Sequence, residues 1–299
     1  MNALGKYLLS GNLQAVGVIS LMTILSLLFP VFSYVISGAP VGLLTLRKGP
    51  AYSMRILCGA LVLVTLFGYF SKQGAALGIA VAFGIWSPVW LTSLVLRMSE
   101  SQGVMLLVTA AIGVLMVMGT WLYNSELTVV WKTWIDAFLN QGFSASEAAQ
   151  LQKLFDSIQP YLNGMLVAGM LISLVGTVIL ARWWQSRLFN PGGFREEFQR
   201  LLLPRWSTVV TVICLIAGAL TWDYQGQIQN VLIVLILVNM FQGLASVHRI
   251  VFTRKLSSNW LIGMYSFLMF LPQMSVFVAC IGMIDVWVRH SKTVPTDKT

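Results

Sequence analysis

Charge is scarce in this chain: only 10% of its 299 residues are Asp, Glu, Lys or Arg, against about 25% in an ordinary soluble domain. That excludes a water-soluble globular fold. Histidine is nearly missing, with His248 and His290 the two present, each beside an arginine at the end of an apolar run. A histidine-based metal or catalytic cluster therefore finds no support. The three cysteines, Cys58, Cys214 and Cys280, lie far apart inside apolar runs and without metal-ligand spacing, which leaves no disulfide framework and no zinc site. No Walker A loop, no H-E-x-x-H, no pair of intramembrane aspartates and no serine-histidine arrangement occurs. Neither an enzyme nor a chain with its own energy source is read here, and no cofactor or metal is expected.

What the chain has in abundance is apolar sequence, with 57% hydrophobic residues and a mean hydropathy of +0.80. Apolar runs recur from end to end, each long enough, at about 17 to 25 residues, to cross a hydrocarbon core as a helix. Barrel strands would instead alternate polar and apolar residues. The predicted fold is all-α, one transmembrane bundle over residues 1–299 with about eight to ten spans. Helices are predicted over 13–29, 31–46, 53–71, 75–96, 103–123, 161–182, 206–222 and 229–247, with a long segment over 259–288. The N-terminal run loosely resembles a signal peptide, but no A-x-A-like site follows, so it reads as a retained first span. Residues 13–45 and 259–288 are each too long for one ordinary span and short for two. Each carries a proline near its middle, Pro30 and Pro272, and proline breaks or kinks a helix, so both read as bent or broken pairs. Pro88, in "WSPVW", is expected to bend the fourth span.

Basic residues orient the bundle. With the N-terminus cytoplasmic and the last segment crossing twice, 16 lysines and arginines fall inside and Lys72, Lys132 and Lys153 fall outside. A single final crossing gives 13 against 6. The positive-inside bias prefers the first arrangement, with both ends cytoplasmic. Topology and anionic membrane lipid thus account for the net charge of +9, and nucleic acid is not needed as a partner.

Two connections carry structure. Residues 124–160 read as an extracytoplasmic helical cap, with Trp131, Trp134 and Phe138 on one helix face. Ser144 and Glu147 form a capping box for a second helix, whose Ala148, Leu151, Phe155 and Ile158 point inward and which ends before Pro160. Residues 183–205 read as a cytoplasmic amphipathic connection. Trp183 and Trp184 anchor it at the interface, Asn190-Pro191-Gly192-Gly193 turns, and Phe194 and Phe198 share an apolar face. It lies in the interface, or it offers a coupling surface to a cytoplasmic partner. Gly74, Gly78 and Ala82, and Gly164 with Ala168, are spaced for close helix packing.

Asp285 is the one carboxylate near the end of the last apolar run, four residues before Arg289. The two share a helix face, which makes an ion pair. A carboxylate in a span also reads as a site for a cation, proton or amine. With Gln273, Tyr265, Asn239 and Gln242 it would form a polar pocket near the break at Pro272.

The proline-broken N-terminal hairpin with "GAPVGLLTLRKGP", the "ARWWQSRLFNPGGFREEF" connection and the C-terminal "GMIDVWVR" together resemble the YybS-like family of uncharacterised predicted bacterial membrane proteins, over most of the chain. That family is similar in general design to the substrate-binding membrane subunits of energy-coupling-factor vitamin transporters. This chain departs from those subunits by its larger number of spans and by a first span without their alanine-rich docking pattern. The resemblance implies a multi-pass protein of the bacterial inner (cytoplasmic) membrane and carries over no functional residue. Two functions follow. One is a transport or solute-binding membrane subunit, with a small-molecule solute in a cavity lined by the spans of Pro30, Pro88 and Pro272. The alternative is a scaffold or assembly subunit whose flat apolar patch meets a membrane or cytoplasmic protein partner.

Overall fold

The computed structural model describes residues 2–220 and 226–292. Lys298 and the last two residues of the helix predicted over 206–222 lie outside the described residues. In chain order the helices are α1 Asn2–Ser10, α2 Asn12–Ser26, α3 Ser33–Lys48, α4 Pro50–Phe70, α5 Ala76–Val81, α6 Ser87–Ser99, α7 Gln102–Leu122 and α8 Asn124–Leu139. They continue with α9 Ala145–Ile158, α10 Leu162–Phe189, α11 Gly193–Arg200, α12 Arg205–Leu220, α13 Gln227–Thr253, α14 Asn259–Phe270 and α15 Met274–Lys292. No strand occurs among the described residues. Among the described residues six helices are long and apolar enough to cross a membrane, or seven if α11 and α12, bent by 54°, count as one span. Asn12–Ser26 and Asn259–Phe270 are apolar but shorter.

Contacts divide the chain into two compact units. The first takes Met1–Thr109 and Leu171–Leu202, the second Ala110–Met170 and Leu203–Thr299.

In the first unit α3 is buried on every side from Ser37 to Leu46, the mark of a helix surrounded by others. Two glycines one turn apart let its neighbours come close. A Cβ on Gly42 would stand 2.7 Å from the Ala181 Cβ of α10 and 3.2 Å from the Ser93 hydroxyl of α6. On Gly38 it would meet Thr177 at 2.9 Å and Val89 at 3.0 Å. Small residues at such crossings gain van der Waals contact between backbones, the main driving force when lipid is as apolar as leucine. Buried polar groups tie the same helices together. The Ser37 hydroxyl accepts from the Trp86 indole N–H at 2.9 Å and lies 2.7 Å from the Thr23 hydroxyl of α2.

The prolines sit at irregular points. Between α2 and α3 a 3-10 turn runs over Pro30–Phe32. Between α5 and α6 the chain widens into a π turn over Ala82–Trp86, with Pro88 one residue into α6. Pro88 has no N–H to send to the Gly84 carbonyl, and the Tyr34 hydroxyl of α3 donates there instead. The Ser87 hydroxyl likewise donates to the Ala82 carbonyl at 2.8 Å. Such local adjustments let a helix interruption persist in hydrocarbon.

In the second unit α13 is the packed centre, unbroken in burial from Leu237 to Ser246. Its Gly243 lies against the Val278 carbonyl of α15, and Gly282 of α15 lies against the Asn239 carbonyl of α13, so that neither position has room for a Cβ. In the interval around Pro272, α14 ends at Phe270 and α15 begins at Met274. The segment 124–160 is a helical pair. Ser144 and Glu147 complete the capping box of α9, the Ser144 N–H donating to the Glu147 carboxylate at 2.9 Å. Phe138 joins α8 to α9 by packing against Phe155, with ring centroids 6.0 Å apart. On α8 the inward residues are Trp131 and Ile135, one turn apart, while Trp134 is 72% exposed. The face expected from Trp131, Trp134 and Phe138 is thus turned by one residue, because Ile135 is the side chain that packs.

Gly42→Val should lower the melting temperature of the purified protein, by about 2 kcal/mol of stability, since the added side chain overpacks the α3 crossing. Gly176→Ala, at a glycine with nothing within 4 Å of its missing Cβ, should leave it unchanged. Equal melting of both variants would refute close packing at Gly42.

Candidate functional site

The sequence places Asp285 on α15, and the structure buries it there at 8% exposure. It faces α13 and makes more than the expected pair with Arg289. The Gln242 amide donates to Asp285 Oδ2 at 2.9 Å, and Arg249 forms the closest ion pair, to Oδ1. Arg289 approaches Oδ2 at 3.9 Å. Gln242 is fully buried, and its other end, Oε1, accepts the Leu203 backbone N–H at 3.0 Å. One carboxylate therefore links two arginines, and through one glutamine it reaches the chain just before Pro204. The same three helices share further polar bonds. The Trp287 indole donates to the Thr208 hydroxyl at 2.9 Å, and the Asn239 amide donates to the Thr211 hydroxyl at 2.9 Å. Interhelical hydrogen bonds of this kind hold membrane helices in register.

The five residues read as one polar pocket separate in three dimensions. Gln242 meets Asp285 directly, whereas Asn239, nearly a turn away, faces α12. Tyr265 on α14 bonds to the His248 ring at 3.0 Å, and Gln273 is exposed between α14 and α15. Arg249, the nearest charged partner of Asp285, is 36 residues away in sequence and carries no local signal. What could have shown it is the long helix itself, since Gln242 and Arg249 stand seven residues apart, two turns along one face.

Residues 183–202 of the connection belong to the first unit. Glu197 receives two hydrogen bonds from Arg182, at 2.8 and 2.6 Å. The Ser186 hydroxyl accepts the Phe194 N–H at 3.0 Å. Phe194 and Phe198 stack with centroids 5.9 Å apart, and Phe198 is buried at 9% exposure. Trp184 is buried beside Gly5 of α1, and Trp183 is half-buried with the Arg187 guanidinium 5.4 Å from its ring. Of the four aromatics assigned to an interfacial face, Trp184 and Phe198 thus pack into protein. The bidentate Arg182–Glu197 clamp supplies the reason, since it fixes α11 to the end of α10.

The second unit holds a cavity of about 550 Å³ beneath α8 and α9, within the range of small-molecule sites. The ends of α7, α9 and α12 and the starts of α10 and α13 form its walls. Its lining is mixed. Trp121, Trp131, Met118 and Val231 supply apolar surface, and Thr120, Thr128, Asp156, Gln159, Asn163 and Gln227 supply polar groups. The Trp131 indole donates to Asn163 Oδ1 at 2.8 Å, fixing both side chains. Asn230, 5% exposed, donates to the Pro160 carbonyl at 2.9 Å and accepts the Gly164 N–H at 2.8 Å, joining α13 to the start of α10. Gly226 makes the adjoining turn at φ +68°, where a Cβ would stand 2.6 Å from the Pro160 carbonyl. Pro160 lies in the 3-10 turn Gln159–Tyr161 just before α10, and Asn230 supplies a donor to its carbonyl. This cavity is not lined by Pro30, Pro88 or Pro272. Sequence reasoning had no route to it, because its residues come from five separated stretches.

Among the described residues no group of three or more His, Cys, Asp and Glu is placed to hold a metal ion.

Asp285→Asn should cost roughly 3 kcal/mol, because Arg249 and Arg289 then face each other without their shared carboxylate. Thermal melting of Asp285→Asn and of Asp285→Asn/Arg249→Gln checks this. The double variant should recover part of the loss, and strict additivity would show that the pair is not coupled.

A family model described as "Predicted membrane protein (DUF2232)" matches residues 17–286. Neither the curated proteins nor the solved structures contain a match. With nearly the whole sequence inside that match, and helices long and apolar enough to cross a membrane running through it, the chain belongs to the DUF2232 family of predicted membrane proteins.

Proposed function

We propose that this multi-pass membrane protein is a transport or solute-binding membrane subunit that draws energy from a partner. The carrying observation is the 550 Å³ cavity with its fixed Trp131–Asn163 pair. An apolar pocket with a few converging polar groups is the usual form of a small-molecule site. Asp285 is then a structural clasp, and the solute site lies under α8 and α9. The likeness to YybS-like proteins, and through them to substrate-binding transporter subunits, supports the same reading. The reading goes with an arrangement of eight to ten membrane segments, in which α2 and α14, apolar but shorter than the six or seven membrane-capable spans, also enter the bilayer. In that arrangement the protein sits in a bacterial inner membrane with both ends cytoplasmic, and α8 and α9 face outward.

A scaffold role is the second reading, favoured by α14. None of its residues is buried, and Trp260, Ile262, Phe267, Met269 and Phe270 are each more than half exposed. An apolar surface of that extent also suits contact with a membrane protein partner.

Native mass spectrometry of the protein, purified in mild detergent from its own membrane, separates the two. A stoichiometric small molecule, retained by the wild type and reduced about tenfold in Trp131→Ala, is expected for a site that loses one aromatic wall. A stoichiometric protein without ATPase motifs, and no small molecule, would overturn the solute-binding reading.

A further inference from the structure

The first unit holds a second cavity, of about 320 Å³, at the end where α3, α6 and α10 finish. Its lining is largely charged: Arg47, Arg97 and Arg182 with Glu100 and Glu197, beside Gln185. We propose that this cleft binds a phosphate group, carried by an anionic phospholipid headgroup or by a soluble phosphate ester. The site is independent of the solute-binding reading.

The argument rests on which charges are already used. Arg182 and Glu197 neutralise each other through two parallel hydrogen bonds, and Arg182 also donates to Gln185 Oε1 at 2.5 Å. That trio forms one finished wall. Arg97 directs Nη1 to the Leu46 carbonyl near the end of α3, and Gln185 reaches the same oxygen at 3.4 Å. The carbonyl that would repel an anion is thereby hydrogen-bonded. The remaining donors of Arg97 face a cleft in which it is itself exposed.

Arg47 is the more telling residue. Its guanidinium lies over the Phe189 ring at 3.9 Å and has no hydrogen bond or ion pair to a described residue. A guanidinium placed over a ring spends none of its N–H donors on that contact, and their fork matches two phosphate oxygens. Basic residues at helix C-termini do complement the macrodipole. That accounts for the charges, but it does not require a guanidinium held over an aromatic ring beside an open cleft. The one carboxylate not already paired is Glu100, the left-handed residue that ends α6 at φ +51°. It makes no ion pair among the described residues, so two guanidiniums face one free carboxylate. Basic pockets between membrane helices suit phosphate headgroups in this way.

The test uses the full chain in lipid nanodiscs. Native mass spectrometry after mixing phosphatidylglycerol and phosphatidylcholine should show the wild type retaining the anionic lipid about tenfold over the neutral one. Arg47→Gln should lose that preference at an unchanged melting temperature, Arg97→Gln should weaken it, and Glu100→Gln should strengthen it by removing the competing charge. In discs of phosphatidylcholine alone, a melting-temperature rise with glycerol 3-phosphate but not with glycerol, absent in Arg47→Gln, would assign the phosphate to a soluble ester. The proposal is overturned if the wild type retains both lipids equally and glycerol 3-phosphate has no effect, or if folded Arg47→Gln behaves as the wild type in both arms.

Discussion

A polar group buried in hydrocarbon must find its partner inside the protein, because no water is there to take its place. Most of the irregular features of this protein answer to that constraint. At Pro88 a helix loses an N–H, and the chain responds with a π turn and with Tyr34 donating to the Gly84 carbonyl. Beside Pro160 the response is Asn230, which serves a carbonyl and an amide of the same junction. Before Pro204, Gln242 accepts the Leu203 N–H and passes the connection on to Asp285. In each case a side chain from another element bonds to the backbone beside a proline, so the irregular point becomes a point of attachment.

The same constraint separates the two carboxylate arrangements. Asp285 lies within a helix long and apolar enough to cross a membrane and is matched by Arg249, Arg289 and Gln242, with little exposure left. Its charge is thus met inside the protein by two guanidiniums and an amide. Glu197 is matched as completely by Arg182, whereas Arg47 beside it is not. Functional capacity in such a protein is therefore sought where donors are oriented but unspent, as around Arg47, or where space is left open, as around Trp131.

Close helix approach is the second organising fact. Gly42 against Ala181, and Gly243 and Gly282 against opposing carbonyls, bring α3 and α13 into contact with their neighbours at distances a Cβ would prevent. These contacts explain how mostly apolar helices choose one packing without a solvent to drive them together. The repeats most visible in the sequence behave differently. Gly74 lies in a turn at φ +91°, with open space around it, while Gly78 does pack, against Thr65.

The amino-acid pattern alone determined the helical membrane class, the positions of most helices, the capping box at Ser144 and the placement of an aspartate on the last helix. Those properties depend on composition and on neighbours a turn or less apart, which the sequence states directly. Tertiary structure alone decided which partner each polar group takes: Arg249 for Asp285, Thr211 for Asn239, Glu197 for Arg182. It also decided that Trp184 and Phe198 pack into protein, and that a cavity opens under α8 and α9. The reason is distance along the chain. Pairings across tens of residues, and a space bounded by five separate stretches, depend on how helices cross, and crossing is set by small residues whose spacing is the same whether they pack or merely turn.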